Sequence, residues 1–212
     1  MTLILIGKCN EGILFCADTY ASNTDGSEVS AEEKVRKIGN RSIIMSLSGN
    51  ISGGGTFDRE FLRFQEPLVS SSDSRKTIED LVNVKKGSWI YRLQYLFAIP
   101  SSHETVIIKA DTRINSPARE INCGGIGLND SLREYGINKF LAQHYAVGMS
   151  AERLEKLFLE AMSLTKKAFL QYRSQFPQQK DSNQHPGIQG LYVSLFANPE
   201  IKILSFNPEY KF

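Results

Sequence analysis

Residues 1–20 read MTLILIGKCNEGILFCADTY and hold the pattern that decides the fold. Residues 2–9 are apolar and rich in β-branched side chains, and residues 13–17 form a second short apolar run, so both stretches predict strands. Between them, residues 10–12 read NEG, a turn sequence in which glycine can adopt a positive φ. Together these stretches predict a β-hairpin.

A second hairpin is predicted before residue 50. Residues 19–33 are polar and predict a loop, after which residues 34–38 alternate, residues 40–41 turn and residues 42–47 return as a strand. A glycine-rich break over 48–55 precedes a predicted helix with an apolar stripe, which Pro67 is expected to end.

The remaining two thirds of the chain predict helices and strands in separate blocks. Residues 75–97 predict a second helix, residues 105–110 and 119–123 short strands, and residues 124–127 a glycine-rich break. Asp130 and Ser150 are candidate N-caps of two further helices, which end near residues 144 and 173. After a polar loop over 175–187, residues 188–196 and 200–206 predict a closing hairpin.

This segregation of strands and helices predicts one α+β domain over residues 1–212, with two antiparallel sheets packed together and helix pairs outside them. The 25 basic and 23 acidic residues leave a net charge of only +2, so neither nucleic acid nor a membrane is expected as a partner. No apolar run is long enough to span a bilayer. The three cysteines show neither metal-ligand spacing nor a disulfide pattern, so we expect a cytoplasmic protein without metal or cofactor.

Three residues at the ends of the predicted strands carry candidate chemistry: Thr2, Asp18 and Lys34. If Met1 is removed, Thr2 has both a hydroxyl nucleophile and an α-amine, which can act as the base because it titrates near pH 8. A nearby Lys34 ammonium would favour the alkoxide, and Asp18 could hold that ammonium. The backbone N–H of Gly49, expected in the loop after the fourth strand, could form an oxyanion hole.

Taken singly, each of these residues has an ordinary structural role. A threonine at position 2 can simply be a small residue that permits removal of Met1. Asp18 could instead cap a turn, Lys34 could be a solvated surface charge and Gly49 could be an ordinary turn glycine. Catalysis is favoured because these residues occur together, at matching positions of two successive predicted hairpins.

This register resembles the proteasome β-subunit family of N-terminal nucleophile hydrolases. The resemblance lies in Thr2, in FCADTY around Asp18, in KVRKI from Lys34 and in LSGN around Gly49. Within the family, the sequence is most similar to bacterial proteasome-like threonine peptidases. It implies a four-layer αββα sandwich and a homo-oligomeric, self-compartmentalising ring. It also implies threonine-dependent hydrolysis of unfolded proteins or peptides, without a cofactor, and an ATP-dependent unfoldase as a partner.

The resemblance also implies where substrate binds. The substrate-aligning strand would fall near Ser22, and the pocket positions would include Ala21, Glu32 and Arg36.

Three departures keep two alternatives open. Residues 123–127 read CGGIG where many family members have Gly-Ser-Gly, residues 182–192 lack the Asp-x-x-Ser-Gly motif, and Tyr20 replaces a common arginine. The alternatives are a non-catalytic structural subunit of the same ring fold and a small-amide hydrolase of the same superfamily.

Overall fold

The computed structural model describes residues 3–18, 20–22, 28–31, 35–39, 43–49, 56–86, 93–100, 105–113, 115–127, 137–175 and 199–204. Within these ranges the chain forms strands, two helices, strands, two helices and a final strand, which confirms the α+β class. The strands are β1 (Leu3–Cys9), β2 (Gly12–Asp18), β3 (Tyr20–Ser22), β4 (Glu28–Ala31), β5 (Val35–Ile38), β6 (Ile43–Gly49), β7 (Leu93–Pro100), β8 (Thr105–Asp111), β9 (Arg119–Ile121), β10 (Cys123–Gly127) and β11 (Pro199–Leu204). The helices are α1 (Thr56–Ser70), α2 (Ser74–Asn83), α3 (Lys139–His144) and α4 (Ala151–Gln175).

The strands form two main antiparallel sheets. The first sheet has the order β10-β1-β2-β11 and the second the order β5-β6-β7-β8-β9, while β3 and β4 pair as a separate ribbon. The first predicted hairpin is confirmed, with Ile4 opposite Ala17 and Cys9 opposite Gly12. Gly12 has a φ of 142°, as its position after the turn requires.

Alternation along the strands divides the buried side chains among three cores. In β1, Leu3 and Leu5 pack toward α4, whereas Ile4 and Ile6 face the second sheet. The opposite face of the second sheet packs against α1 and α2, where Phe64 and Phe97 lie with ring centroids 5.0 Å apart. The layers therefore follow in the order helices, sheet, sheet, helices, compatible with an α+β sandwich.

The predicted helix over residues 75–97 is wrong in its second half. Helix α2 ends at Asn83, and residues 93–100 form the central strand β7. Along β7, Tyr95 and Phe97 enter the core under α1 and α2, whereas Leu96 and Ala98 enter the core between the sheets. A strand buried on both faces is a continuous apolar run, and such a run cannot be distinguished from a helix by periodicity alone.

Four smaller predictions are also corrected. Pro67 lies inside α1, which continues to Ser70 because the fully buried Leu68 anchors its last turn in the core. Residues 124–127 are not a break but part of β10, which pairs with β1. The predicted loop over 19–33 contains β3 and β4, and Gly49 ends β6 rather than lying in a loop.

The second helical block is partly confirmed. Ser150 precedes α4, and its hydroxyl accepts from the Arg153 N–H at 3.3 Å, as an N-cap does. Asp130 and residues 188–196 lie outside the described residues. None of the helices, as far as they are described, combines the length and apolar character needed to cross a membrane.

Candidate active site at the polar edge of the two sheets

Two strands of the first sheet end at the edge where β1 begins. Leu3, the first residue of β1, pairs with Gly127, the last residue of β10. On the other side of β1, Ile4 pairs with Ala17, one residue before the end of β2 at Asp18. The start of β1 and the ends of β2 and β10 therefore share one edge.

The second sheet presents the end of β6 at the same edge. Gly49, the last residue of β6, pairs with Leu93, the first residue of β7. The adjacent side chain, Gln94, reaches across to the first sheet, where its Oε1 accepts from the Gly127 N–H at 2.9 Å. This bond brings the Gly49 end of the second sheet next to the Leu3 end of the first.

The space between the sheets is polar at this edge and apolar further in. On the inner face of the second sheet, Ser48 lies opposite Gln94 and Gln94 opposite Asp111, and the next row contains Ser46 and Lys109. All five of these residues are buried. The following row is apolar, with Ile44, Ala98 and Ile107. Buried polar groups are costly without hydrogen bonds, so this concentration marks the edge as a candidate site.

Asp111 is held as a carboxylate by two neighbours. Its Oδ2 accepts from Gln94 Nε2 at 3.0 Å and from Arg113 Nε at 2.7 Å, while its Oδ1 accepts from the Arg113 backbone N–H at 2.9 Å. Burial raises the pKa of Asp111, but these hydrogen bonds and the Arg113 charge outweigh burial, so the pKa lies below its usual value.

This pKa shift gives a prediction for stability against pH. Because the folded pKa of Asp111 is below its unfolded value, its contribution to stability is present above the ordinary carboxyl pKa and is lost as the pH falls through the folded value. We expect the free energy of unfolding, measured in urea, to fall as the pH drops below the ordinary carboxyl value of about 4. The Asp111→Asn variant should show a shallower fall below that pH, and an unchanged slope would contradict the assignment.

Lys109 makes a second link between the sheets. Its ammonium donates to the Gly125 carbonyl at 2.9 Å, on the same strand β10 that Gln94 binds. A Cβ at Gly125 would lie 2.8 Å from Leu5 Cδ2 and 3.2 Å from the Ile4 carbonyl oxygen, so any side chain there would push against β1. The glycine-rich sequence of β10 therefore permits its close packing on β1.

Ser46 is an exception to the hydrogen bonding of this edge. Its Oγ is, among the described residues, the one buried side-chain nitrogen or oxygen atom without a hydrogen-bond partner. It lies opposite Val35, which packs in the core between the sheets. An unpaired buried hydroxyl costs stability, and Ser46 Oγ adds a further polar atom to this edge of the space between the sheets.

Of the predicted catalytic residues, Thr2 and Lys34 lie outside the described residues, as does the pocket residue Glu32. Each catalytic position is next to a residue of this edge in sequence, Thr2 to Leu3 and Lys34 to Val35. The structure places the backbones of Asp18 and Gly49 at this same edge of the two sheets.

The predicted substrate residues lie on other elements. Ala21 and Ser22 form part of β3 and pair with Ser30 and Glu28 of β4, with an irregularity between them. Arg36 lies opposite Met45, whose side chain is in the core under α1 and α2. The Arg36 guanidinium pairs with Asp58 of α1 and lies 5.8 Å from the Phe61 ring centroid, so the Arg36 side chain faces the helix layer.

The sequence predictions missed Gln94, Lys109 and Asp111. A signal for them exists, because each is a polar residue at an inward position of an otherwise apolar strand, in LQYLFAIP and TVIIKAD. It becomes readable only when residues 93–100 are assigned as a strand rather than a helix.

None of the three cysteines fits the role of an alternative nucleophile. Cys16 is fully buried, with its Sγ 3.5 Å from Met162 Sδ, and no cysteine forms a disulfide. Burial raises the pKa of Cys123 to about 12 and also raises the pKa of Cys9. These thiols are protonated near neutral pH and are therefore weak nucleophiles. Within the described ranges, no group of three His, Cys, Asp or Glu side chains could hold a metal ion.

Comparison with known proteins does not assign a family. No protein-family model matches the chain, and no curated protein matches its sequence. The function is therefore inferred from the residues and their geometry.

Proposed function

We propose that the chain is a threonine-type peptidase with the four-layer fold of the N-terminal nucleophile hydrolases, in the proteasome β-subunit family. The observation that carries the proposal is the convergence of strand ends. The positions next to Thr2 and Lys34, and the backbones of Asp18 and Gly49, belong to strands that meet where the space between the sheets becomes polar.

The proposed reaction uses the amine and hydroxyl of Thr2 after Met1 is removed. The α-amine accepts the hydroxyl proton as Oγ attacks the peptide carbonyl, and the resulting tetrahedral oxyanion accepts from the Gly49 N–H. The amine then gives the proton to the leaving amine, which leaves an ester on Thr2 that water hydrolyses. The role of Lys34 is to favour the alkoxide, and that of Asp18 is to hold the Lys34 charge.

The proposal places the substrate along the end of the second sheet that carries Gly49. An extended substrate would align there and on the β3 ribbon around Ser22 by adding as a strand. The same proposal includes a homo-oligomeric cytoplasmic ring, unfolded protein as substrate and an ATP-dependent unfoldase as a partner.

A specific observation favours a second candidate, the non-catalytic ring subunit. Strand β10, which pairs directly with the start of β1, reads CGGIG and supplies no hydroxyl. If the reaction needs a supporting serine from this strand, the fold could persist without activity. The small-amide hydrolase of the same superfamily is a third candidate, with the same nucleophile and a different substrate.

Covalent labelling separates these candidates. The purified protein is treated with a peptide-based electrophile that reacts with amino-terminal threonine, and the adduct is located by mass spectrometry of proteolytic fragments. The proposal predicts one adduct, at Thr2, and none in Thr2→Ala. Absence of an adduct on protein that has lost Met1 would instead support the structural subunit. Labelling at Thr2 with turnover of small amides only would support the small-amide hydrolase.

A further inference from the structure

We infer that Gln94 is a positioning residue that sets the start of β1 against Gly49. The inference deepens the proposed peptidase function and rests on it. It arises from one carboxamide that bonds to both sheets at the edge where the candidate nucleophile and oxyanion donor belong.

The orientation of the Gln94 carboxamide follows from its partners. The Asp111 carboxylate can only accept, so it takes the Gln94 Nε2–H at 3.0 Å. The Gly127 backbone N–H can only donate, so it takes the Gln94 Oε1 at 2.9 Å. Exchanging the oxygen and nitrogen would break both bonds. Asp111, itself fixed by Arg113, therefore keeps the Gln94 oxygen directed at β10.

The two ends of this link are next to the proposed reacting groups. Gly127 pairs with Leu3, which follows Thr2 in the chain. Gln94 follows Leu93, whose partner across the strand pair is Gly49. A shift of β10 relative to β7 would therefore move the start of β1 relative to the Gly49 N–H. A misplacement of about 1 Å in an active site can lower the rate about 10²-fold.

Among the described residues, the Gln94 carboxamide binds the Asp111 carboxylate, which Arg113 binds in turn, and Lys109 lies one row further along β8. On β6 the residue opposite Gln94 is Ser48, and on β10 the Gly127 backbone N–H donates to the carboxamide; neither group is charged. A new carboxyl group at position 94 would therefore lie beside the Asp111 carboxylate. Two carboxyl groups that share a site raise the pKa of one of them, which gives a pH-dependent test.

The first variant, Gln94→Met, has similar volume but can make neither bond. We expect kcat for a peptide substrate to fall about 10- to 100-fold, with KM changed less than about threefold, because the substrate-aligning strands are untouched. Amide hydrogen exchange at Gly127 should become faster. A change in KM alone, or wild-type kcat, would overturn the inference.

The second variant, Gln94→Glu, makes the bonds depend on protonation. When the new carboxyl group is protonated it can donate to Asp111 and accept from Gly127, and when it is ionised it repels Asp111. The ratio of its kcat to that of the wild type should fall as the pH rises through the raised pKa. An unchanged ratio across the pH range would overturn the inference, even if Gln94→Met fails to fold.

The matched control is Val82→Ala, which removes buried volume from the core under α1 and α2. At a temperature where it remains folded, Val82→Ala should have a lower free energy of unfolding but a wild-type kcat. If destabilisation alone lowered kcat, Val82→Ala would lose activity as well. Thr2→Ala, assayed in parallel, identifies failure of the proposed function. If Thr2→Ala retains full activity, the reaction that Gln94 is inferred to serve is absent and the inference falls with it. If Thr2→Ala is inactive and both Gln94 variants behave as wild type, the inference alone fails.

Discussion

Replacing Thr2 with alanine is expected to lower kcat for peptide hydrolysis by at least about 10³-fold, because the variant retains the α-amine but has no nucleophilic oxygen. The loss should appear in kcat and in kcat/KM alike, since the hydroxyl acts in the transition state rather than in substrate binding. The measurement is steady-state hydrolysis of a fluorogenic peptide, with removal of Met1 verified in both proteins.

Thr2→Ser is the matched control for this prediction. It keeps the hydroxyl and the amine, and it should retain measurable hydrolysis while the alanine variant does not. Both variants should unfold at wild-type temperature in the absence of substrate. Equal activity in Thr2→Ala and wild type would contradict the proposed chemistry, since the three cysteines offer no alternative nucleophile.

Of the substitutions proposed for this protein, Glu60→Ala is expected to lower the free energy of unfolding the most. The Glu60 side chain in α1 is fully buried, and its carboxylate accepts from Tyr95 Oη at 2.9 Å and from Arg63 Nε at 3.0 Å and pairs with Lys85 after α2. Burial raises the pKa of Glu60, but the Lys85 bond, the Arg63 charge and the Tyr95 bond together hold it below its usual value. This carboxylate ties α1 to the segment after α2 and to β7.

Breaking a fully buried ion pair costs about 3–5 kcal/mol, and the Glu60 substitution should fall toward the lower end because the Arg63 and Lys85 side chains are 22% and 26% exposed and retain some solvation. For a chain of this length we expect the Tm to fall by roughly 10 °C, measured by circular dichroism. The matched control is Glu66→Ala, on an exposed position of the same helix, which should change stability by less than about 0.5 kcal/mol. Equal effects of the two substitutions would show that the Glu60 cluster does not stabilise the helix layer.

The elements that local sequence predicted best are those whose pattern repeats within one segment. The first hairpin follows from two apolar runs around NEG, and α4 follows from Ser150 and apolar residues at helical spacing. Strand β7 was missed because it is apolar on both faces, so its sequence has no period of two. The sequence does not predict residues 123–127 as a strand because glycine is usually a weak strand residue, and only the pairing with β1 shows that glycine lets the two strands pack closely.

The candidate site was predictable only where it depends on the strand ends. Asp18 and Gly49 could be placed because each closes a short apolar run that local sequence identifies. The buried cluster could not be found in this way, because Gln94 meets Asp111 across β7 and β8 and meets Gly127 across the two sheets. Such contacts depend on the register of strands far apart in sequence, which no local pattern contains.

The proposed function requires that Thr2 become the amino terminus and act as the nucleophile. The most direct test is the intact mass of the purified protein before and after treatment with the peptide electrophile. We expect a protein that lacks the mass of one methionine residue and then gains the mass of one probe molecule. A protein that retains Met1 throughout, or that loses Met1 and gains no probe, would contradict the proposed function.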